Sequence, residues 1–336
     1  MLINNDIIKL VRGENCFDFL RYLFALSLII AHFCTITGTE QFWFITGGMR
    51  VKAFFTITGF LVTYSFLRCD CKLRTYAVKR AARILPAYIC CIIFCIMLGW
   101  YVSSLDTQAF FSSVQTWKYA ISNLLMLNWI EPELPGTFQS NVAPQMNGSL
   151  WSMKLEALFY VAVPFLVWLI NMVKSKHVML IVMMLCVGVY TWLPVQLQYS
   201  VYFLSGMVLL LYFDSFCKYS RYILMLSVLS EIVLYVFYDT LFAKIASSLE
   251  PISFSSIIIG IAYYAKPLNF FRRFDNVTYG LYLYHFPIIQ ALILFGLLDC
   301  DVRLCFFVAI ILTSIMAVLS WRLVEKPLMD KARNNN

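Results

Sequence analysis

The stretch Asp18-Phe-Leu-Arg-Tyr-Leu-Phe-Ala-Leu-Ser-Leu-Ile-Ile-Ala-His-Phe33 decides how the whole chain is read. It is apolar and long enough to lie in a bilayer, yet it carries two ionisable residues, Arg21 and His32. Eleven residues at about 100° each make about three turns plus roughly 20°, so the two side chains share one helix face. At 1.5 Å per residue they lie about 16 Å apart along the axis. With Arg21 at one surface of a hydrocarbon core about 30 Å thick, His32 falls near its midplane. A polar group at that depth is expensive, which makes it a functional candidate by default.

The remainder of the chain supports a membrane reading. Its 336 residues are 61% hydrophobic and 13% charged, with a mean hydropathy of +0.77, far from the roughly 25% charged of a soluble domain. Apolar runs recur at 18–37, 43–67, 84–104, 150–172, 178–194, 196–213, 222–238, 251–265, 278–298 and 303–323. The expectation is an all-α, polytopic integral membrane bundle of about ten transmembrane helices, one integral membrane domain over residues 1–336. The first run keeps Arg21 and leads to no small-residue cleavage site, so it reads as a retained helix and not a signal peptide. The spans 178–194 and 196–213 meet at Pro194 as a tight hairpin or one broken helix. Segment 105–149 is the one long outer connection, and its apolar part from Trp117 to Ile130 is expected on or in the outer interface.

The net charge of +8 reports orientation before it reports nucleic acid, because cations gather on the cytoplasmic side of membrane proteins. With Lys9 and Arg12 inside, the inner links hold Arg68, Lys72, Arg74, Lys79, Arg80 and Arg83, then Lys174 and Lys176, Lys218 and Arg221, and Lys266, Arg272 and Arg273. The outer links hold chiefly Lys118 and Lys244 beside acidic residues such as Asp106, Glu131, Asp239 and Asp301. Both termini are then cytoplasmic, and no nucleic-acid partner is expected.

The eleven cysteines are odd in number and mostly inside apolar runs, where Cys behaves as a small hydrophobe, so no disulfide framework is inferred. Cys69 and Cys71 have no accompanying ligand pair and read as free thiols, not metal or palmitate sites. No metal-ligand spacing, Walker motif or GxGxxG loop is present, nor a G-x-S-x-G elbow, so neither a metal nor a resident cofactor is expected.

Four polar groupings remain. Arg80 and Arg83, three apart before Ile84-Leu-Pro, share a helical face that can either fix the loop against anionic lipid or grip phosphate with guanidinium forks, and charge alone does not decide. In Asn147-Gly-Ser-Leu-Trp-Ser-Met-Lys-Leu-Glu-Ala-Leu-Phe-Tyr160, Ser149 is an expected N-cap, and Ser152, Glu156 and Tyr160 form a polar stripe entering from outside. Glu156 either pairs with Lys154 or another helix, or serves the site. Thr278-Tyr-Gly-Leu-Tyr-Leu-Tyr-His-Phe-Pro287 places Tyr282, His285 and Pro287 within the inner half of its span, and His285 is either a second polar site or, the favoured reading, a histidine satisfied by a carbonyl that the proline kink frees. His177 reads as a surface residue. At the carboxyl end, Trp321-Arg-Leu-Val-Glu-Lys-Pro327 is expected to end its helix at the proline and pair Arg322 with Glu325.

Together these motifs resemble the membrane-bound acyltransferase family 3, the group that includes bacterial O-antigen and capsule O-acetyltransferases. The resemblance runs in order through Arg21 with His32, Phe54-Phe-Thr-Ile-Thr-Gly-Phe-Leu61, Arg80 with Arg83, Ser149-Leu-Trp-Ser with Glu156 and Phe159-Tyr160, Tyr279-Gly-Leu-Tyr-Leu-Tyr-His-Phe-Pro287, and Glu325-Lys-Pro327. Two departures stand out: Thr58 occupies the usual Ser position, and Arg50 and Lys52 precede Phe54 where the family commonly has an acid. Larger members append a soluble domain, and none is expected here.

The resemblance implies transfer of an acetyl group from cytoplasmic acetyl-CoA, a co-substrate, to a hydroxyl of a surface or lipid-linked glycan, in a bacterial cytoplasmic (inner) membrane. It implies His32 as general base or acyl relay, Arg21 as orienter or CoA contact, and Glu156 as partner of His32 or of the acceptor hydroxyl. It also implies Arg80 and Arg83 on the CoA phosphates, with Ser149, Ser152, Tyr160, Tyr282 and His285 on the acceptor side or in support. Membrane lipid is the third expected partner. The alternatives are a transporter or flippase of lipid-linked sugars, and a non-catalytic assembly partner with the same fold.

Overall fold

A computed structural model describes residues 11, 14–40, 45–189, 194–237 and 248–334. Lys9, Arg12, Asp239 and Lys244, used above to orient the chain, lie outside the described residues. The described residues form helices and turns, with no strand among them. That is what lipid demands of a chain this apolar, because a helix satisfies its own backbone polar groups.

In chain order the helices are α1 (Phe17–Thr37), α2 (Gly47–Arg68), α3 (Leu73–Val102), α4 (Thr107–Ser112), α5 (Val114–Leu124), α6 (Met153–Val173) and α7 (Val178–Gly188). They continue as α8 (Ser200–Leu211), α9 (Phe213–Val236), α10 (Glu250–Tyr264), α11 (Thr278–Leu294), α12 (Val302–Ser320) and α13 (Lys326–Asn334). A 3₁₀ turn, Gly148–Ser152, leads into α6.

Each of the ten expected spans is helical for much of its length, but the expected count of about ten crossings is too high. Five helices are long and apolar enough to cross a membrane: those within Phe17–Thr37, Leu73–Val102, Gly148–Val173, Phe213–Val236 and Val302–Arg333. A sixth is added if Pro267–Arg273 and Thr278–Leu294 form one bent span. The reason is geometric. A crossing needs about 20 residues, whereas α7 has 11, α8 has 12 and α10 has 15. Helix α8 is buried from Val201 to Leu211, so protein and not lipid surrounds it. Helix α2 is long enough, but Arg50, Lys52, Thr56, Thr58 and Thr63 lower its hydropathy. The protein is a multi-pass membrane protein of five or six such spans among its described residues.

The chain divides into two compact units. The first comprises Met1–Arg21, Gly47–Tyr76 and Leu158–Arg273. Its centre is the contact of α2 with α8. A Cβ at Gly59 would lie 2.0 Å from the Phe203 carbonyl oxygen, and one at Gly206 would lie 2.1 Å from that of Thr56. Two glycines thus let the backbones touch, the device by which membrane helices gain dispersion contact. Phe159 stacks on Phe203 at 4.1 Å, and Thr56 and Ser255 share a hydrogen bond of 2.8 Å. The basic residue that departs from the family pattern has an acid supplied elsewhere: Lys52 Nζ lies 2.6 Å from Glu250 Oε1. Tyr202 donates to Glu250 Oε2 at 2.5 Å.

The second unit comprises Tyr22–Thr46, Ala77–Ala157 and Phe274–Asn336. Here Ala25 and Ile29 of α1 pack with Leu281 of α11 and Ala317 of α12. A Cβ at Gly280 would meet the Ala317 Cα at 2.7 Å. Segment 105–149, expected on the outer side, is built from capped helices and turns. Asp106 caps α4 by accepting from Ala109 N at 2.8 Å, and Ser113 caps α5 by accepting from Gln115 N at 3.2 Å. Helix α5 is inverted for a water-facing helix: Thr116, Tyr119, Ser122 and Asn123 are buried, while Trp117 and Ile121 are 57% and 59% exposed. An apolar outer face suits the lipid interface expected of this stretch. Gln290 of α11 pins the loop that follows, donating to the carbonyls of Ala143 and Gln145 and accepting from Asn141.

Two expectations fail at the carboxyl end. Residues Trp321–Glu325 form a π-turn, and its wider winding takes Arg322 and Glu325 off the shared face that α geometry gives an i, i+3 pair. Arg322 instead pairs with Asp275 at 3.2 Å, while Glu325 accepts from Ser320 at 3.1 Å. Nor does Pro327 stop the chain's helix. It sits in the first turn of α13, where a missing N–H costs little.

Candidate active site

Helix α11 organises the second unit's polar interior through its proline. Pro287 has no N–H, so the carbonyl of Leu283, four residues back, loses its helical donor. Asn147 supplies a replacement, its Nδ2 donating to Leu283 O at 2.9 Å. The Cys91 thiol donates to the same oxygen at 3.3 Å. Asn147, not Ser149, is the residue that caps the turn into α6. Its Oδ1 accepts from Ser149 N at 3.3 Å and from the Ser149 hydroxyl at 2.6 Å. The 3₁₀ turn Gly148–Ser152 intervenes before the α-helix begins and moves the cap two residues upstream. Gly148 makes room there for the Phe286 ring, which a Cβ would meet at 2.7 Å.

One helical turn before the proline, Tyr282 joins this cluster. Its hydroxyl donates to the Ser149 carbonyl at 2.5 Å. With that proton engaged, the Ser152 hydroxyl at 3.1 Å is the donor to the Tyr282 oxygen. Glu156, half-buried one turn into α6, lies within electrostatic range of the Tyr282 hydroxyl. Its neighbour Lys154 holds its ammonium 6.0 Å over the Trp129 ring. Ser149, Ser152, Glu156 and Tyr282 therefore form one neighbourhood, which joins Tyr282 to the Ser152 and Glu156 stripe.

His32 and His285 meet. His32 Nδ1 lies 2.7 Å from His285 Nε2, and the two rings meet edge to edge and nearly coplanar, with centroids 5.0 Å apart and planes at 14°. His285 is fully buried, and its Nδ1 lies 3.0 Å from the Leu281 carbonyl oxygen. The Phe286 ring edges against His32 at 5.5 Å. The carbonyl freed by Pro287, expected as the partner of His285, is taken by Asn147 and Cys91. His285 instead faces the Leu281 carbonyl, one turn before it, and its other nitrogen meets His32. Sequence does not show that a second helix delivers a histidine to it.

The arginines divide. Arg83 is committed within the second unit: Nη2 donates to Asn276 Oδ1 at 3.1 Å, Nη1 reaches Met329 Sδ at 3.6 Å, and the guanidinium lies 5.8 Å from the Trp321 ring centroid. It is also within electrostatic range of the buried Glu325 carboxylate. Arg80 stands half-buried one turn earlier on α3. Arg21 and Tyr160 belong to the first unit. There Arg21 pairs with Asp18 at 3.2 Å, both about a third exposed, and the Tyr160 carbonyl accepts from the Tyr76 hydroxyl at 3.1 Å. At Cys71, in the turn between α2 and α3, burial and the nearby Asp70 push the thiol pKa up, which favours a protonated thiol over a metal-binding thiolate. His177, in the first unit, lies 2.7 Å from the Tyr212 hydroxyl.

Asn147, Gln290 and Phe286 are contributors that the sequence did not single out. The signal for Asn147 was available in Pro287, because a helix-interior proline announces a carbonyl needing an outside donor.

The acyltransferase domain family model matches residues 14–322. The chain is 26% identical over 342 residues to an O-acetyl transferase of Shigella phage Sf6, covering 95% of this chain and 97% of that protein. It is 24% identical over 352 residues to nodulation protein 10 of Rhizobium leguminosarum bv. viciae, covering 94% and 93%. It is also 24% identical over 366 residues to O-acetyltransferase OatA of Staphylococcus aureus (strain NCTC 8325 / PS 47), covering 94% of this chain and 57% of that protein. No solved structure matches. A match across all but the ends, carried by a membrane-helical chain with its histidine and arginine motifs in order, means that the chain belongs to the acyltransferase domain family.

Proposed function

We propose that this acyltransferase moves an acetyl group from acetyl-CoA to a hydroxyl of a cell-surface or lipid-linked polysaccharide, with His32 as general base. The observation that carries the reading is His32 itself, an ionisable side chain in an apolar helix, held at 2.7 Å by a second histidine. An alcohol is a poor nucleophile until its proton is taken, and a neutral imidazole with an unperturbed pKa of about 6.5 does this near neutral pH. The acceptor proton passes to His32, the acceptor oxygen bonds to the acyl carbon, and the carbon–sulfur bond breaks. His32 then returns the proton to the leaving thiolate, so the products are an ester and free CoA.

Glu156, with Tyr282, Ser149 and Ser152, receives the acceptor sugar, since these groups supply donors and acceptors side by side. Arg80 and Arg83 contact the CoA phosphates, and Arg21 orients or contacts the donor. The relatives named as O-acetyl transferases favour acetyl as the group moved. The whole chain acts as one integral membrane acyltransferase domain in a bacterial cytoplasmic membrane. Its basic link 68–83 faces the cytoplasm, because that is where cations in short loops reside.

The test is the purified protein in sealed vesicles, with labelled acetyl-CoA on one side and candidate polysaccharide on the other. Labelled ester on the polysaccharide is the expected result. Movement of lipid-linked sugar with no ester formed would favour a transporter instead.

A further inference from the structure

Whether a histidine acts as a base depends on which of its two nitrogens holds the proton, and hydrogen bonds to the other nitrogen settle that. His285 Nδ1 faces the Leu281 carbonyl oxygen at 3.0 Å. A carbonyl only accepts, so His285 must carry its proton on Nδ1. A doubly protonated His285 would bury a charge in a site with no exposure, at high cost. Its Nε2 therefore presents a lone pair, and that lone pair points at His32 Nδ1 from 2.7 Å. Two lone pairs repel at this distance, so the proton between the rings resides on His32 Nδ1. Neutral His32 then has its own lone pair on Nε2.

We infer that His285 is a positioning residue for the reaction: the relay Leu281 carbonyl, His285, His32 fixes His32 as the Nδ1–H tautomer and leaves Nε2 as the nitrogen that takes the acceptor proton. The inference rests on the proposed role of His32. The relay also acts after proton transfer. Once Nε2 is protonated, the Nδ1–H of the imidazolium still donates to His285 Nε2, and a charged donor strengthens that bond. The near-coplanar rings, at 14°, and the Phe286 edge at 5.5 Å from His32 hold the orientation.

Two substitutions separate this role from simple packing. In His285→Gln the amide oxygen stands near the position of Nε2 and accepts from His32, while the Leu281 contact is lost. In His285→Asn the shorter amide stands near Nδ1 and keeps the Leu281 contact, while the reach to His32 is lost. The expected result is kcat within about 10-fold of wild type for Gln but lower by about 100-fold for Asn, with KM values for both substrates little changed. An Asn variant as active as Gln, or more active, at any level, would overturn the proposal. His32→Ala is measured alongside. Wild-type transfer in that variant would overturn the role of His32 and the relay together, whereas an inactive His32→Ala with Asn equal to Gln would overturn the relay alone.

Discussion

The Asn147 side chain donates at 2.9 Å to the carbonyl oxygen of Leu283, the acceptor that Pro287 leaves without a helical donor. A defect in one helix is thereby turned into a fixed link to the loop that carries Ser149. The same asparagine holds the Ser149 hydroxyl at 2.6 Å, so the kink positions the polar cluster as well as the helix.

Asn147→Leu should therefore weaken both fold and activity. Leaving buried partners of the amide without it costs about 1–3 kcal/mol. Thermal unfolding of the purified protein in detergent should show a lower midpoint, together with reduced transfer. An unchanged midpoint would mean that the Cys91 thiol alone satisfies Leu283.

Gly59 and Gly206 are expected to tolerate nothing larger. Alanine at either site drives a methyl into backbone at 2.0 Å or 2.1 Å, where no side chain can swing aside. Each substitution should cost about 1–3 kcal/mol or more, read as a lower unfolding midpoint. Wild-type stability for Gly206→Ala would show that α2 and α8 do not pack this closely.

Lys52 and Glu250 form a mostly buried pair at 2.6 Å, so either one alone should be worse than neither. Lys52→Met or Glu250→Gln strands a charge, at a cost approaching the figure for a fully buried pair, about 3–5 kcal/mol. The double substitution should recover part of that loss. A double-mutant cycle with no coupling would contradict the pairing.

Each arginine should have its own readout. Arg80→Ala is expected to raise KM for acetyl-CoA by about 10-fold, the loss of roughly 1.4 kcal/mol of phosphate contact. Arg83→Ala should also lower the unfolding midpoint, because its guanidinium bridges Asn276, Met329 and the Trp321 ring. An unchanged KM in the Arg80 variant, or an unchanged midpoint in the Arg83 variant, would contradict the role given to that residue.

Much of this was legible in the sequence, and its limits are physical. The helical, membrane-embedded character follows from composition and run length. Arg21, His32 and the polar residues Ser152 and Glu156 stand out because they have no cheap reason to lie in apolar helices, whereas the association of Ser149 and Ser152 with Tyr282 is supplied by tertiary packing. The number of crossings was overestimated, because hydropathy does not tell a lipid-facing run from one such as Val201–Leu211 that is buried in protein. The Arg322–Glu325 pair failed because a π-turn is invisible to α periodicity. The meeting of His32 with His285 joins residues 253 apart in sequence, and only tertiary packing supplies it.

The role of His32 as the base for acyl transfer is read from the rate of labelled ester formation from acetyl-CoA and polysaccharide by purified His32→Ala protein of confirmed wild-type fold. The rate should fall by about 100-fold or more, the loss typical for a general base, with the protein still inserted and stable. Ester formation at the wild-type rate would contradict that role.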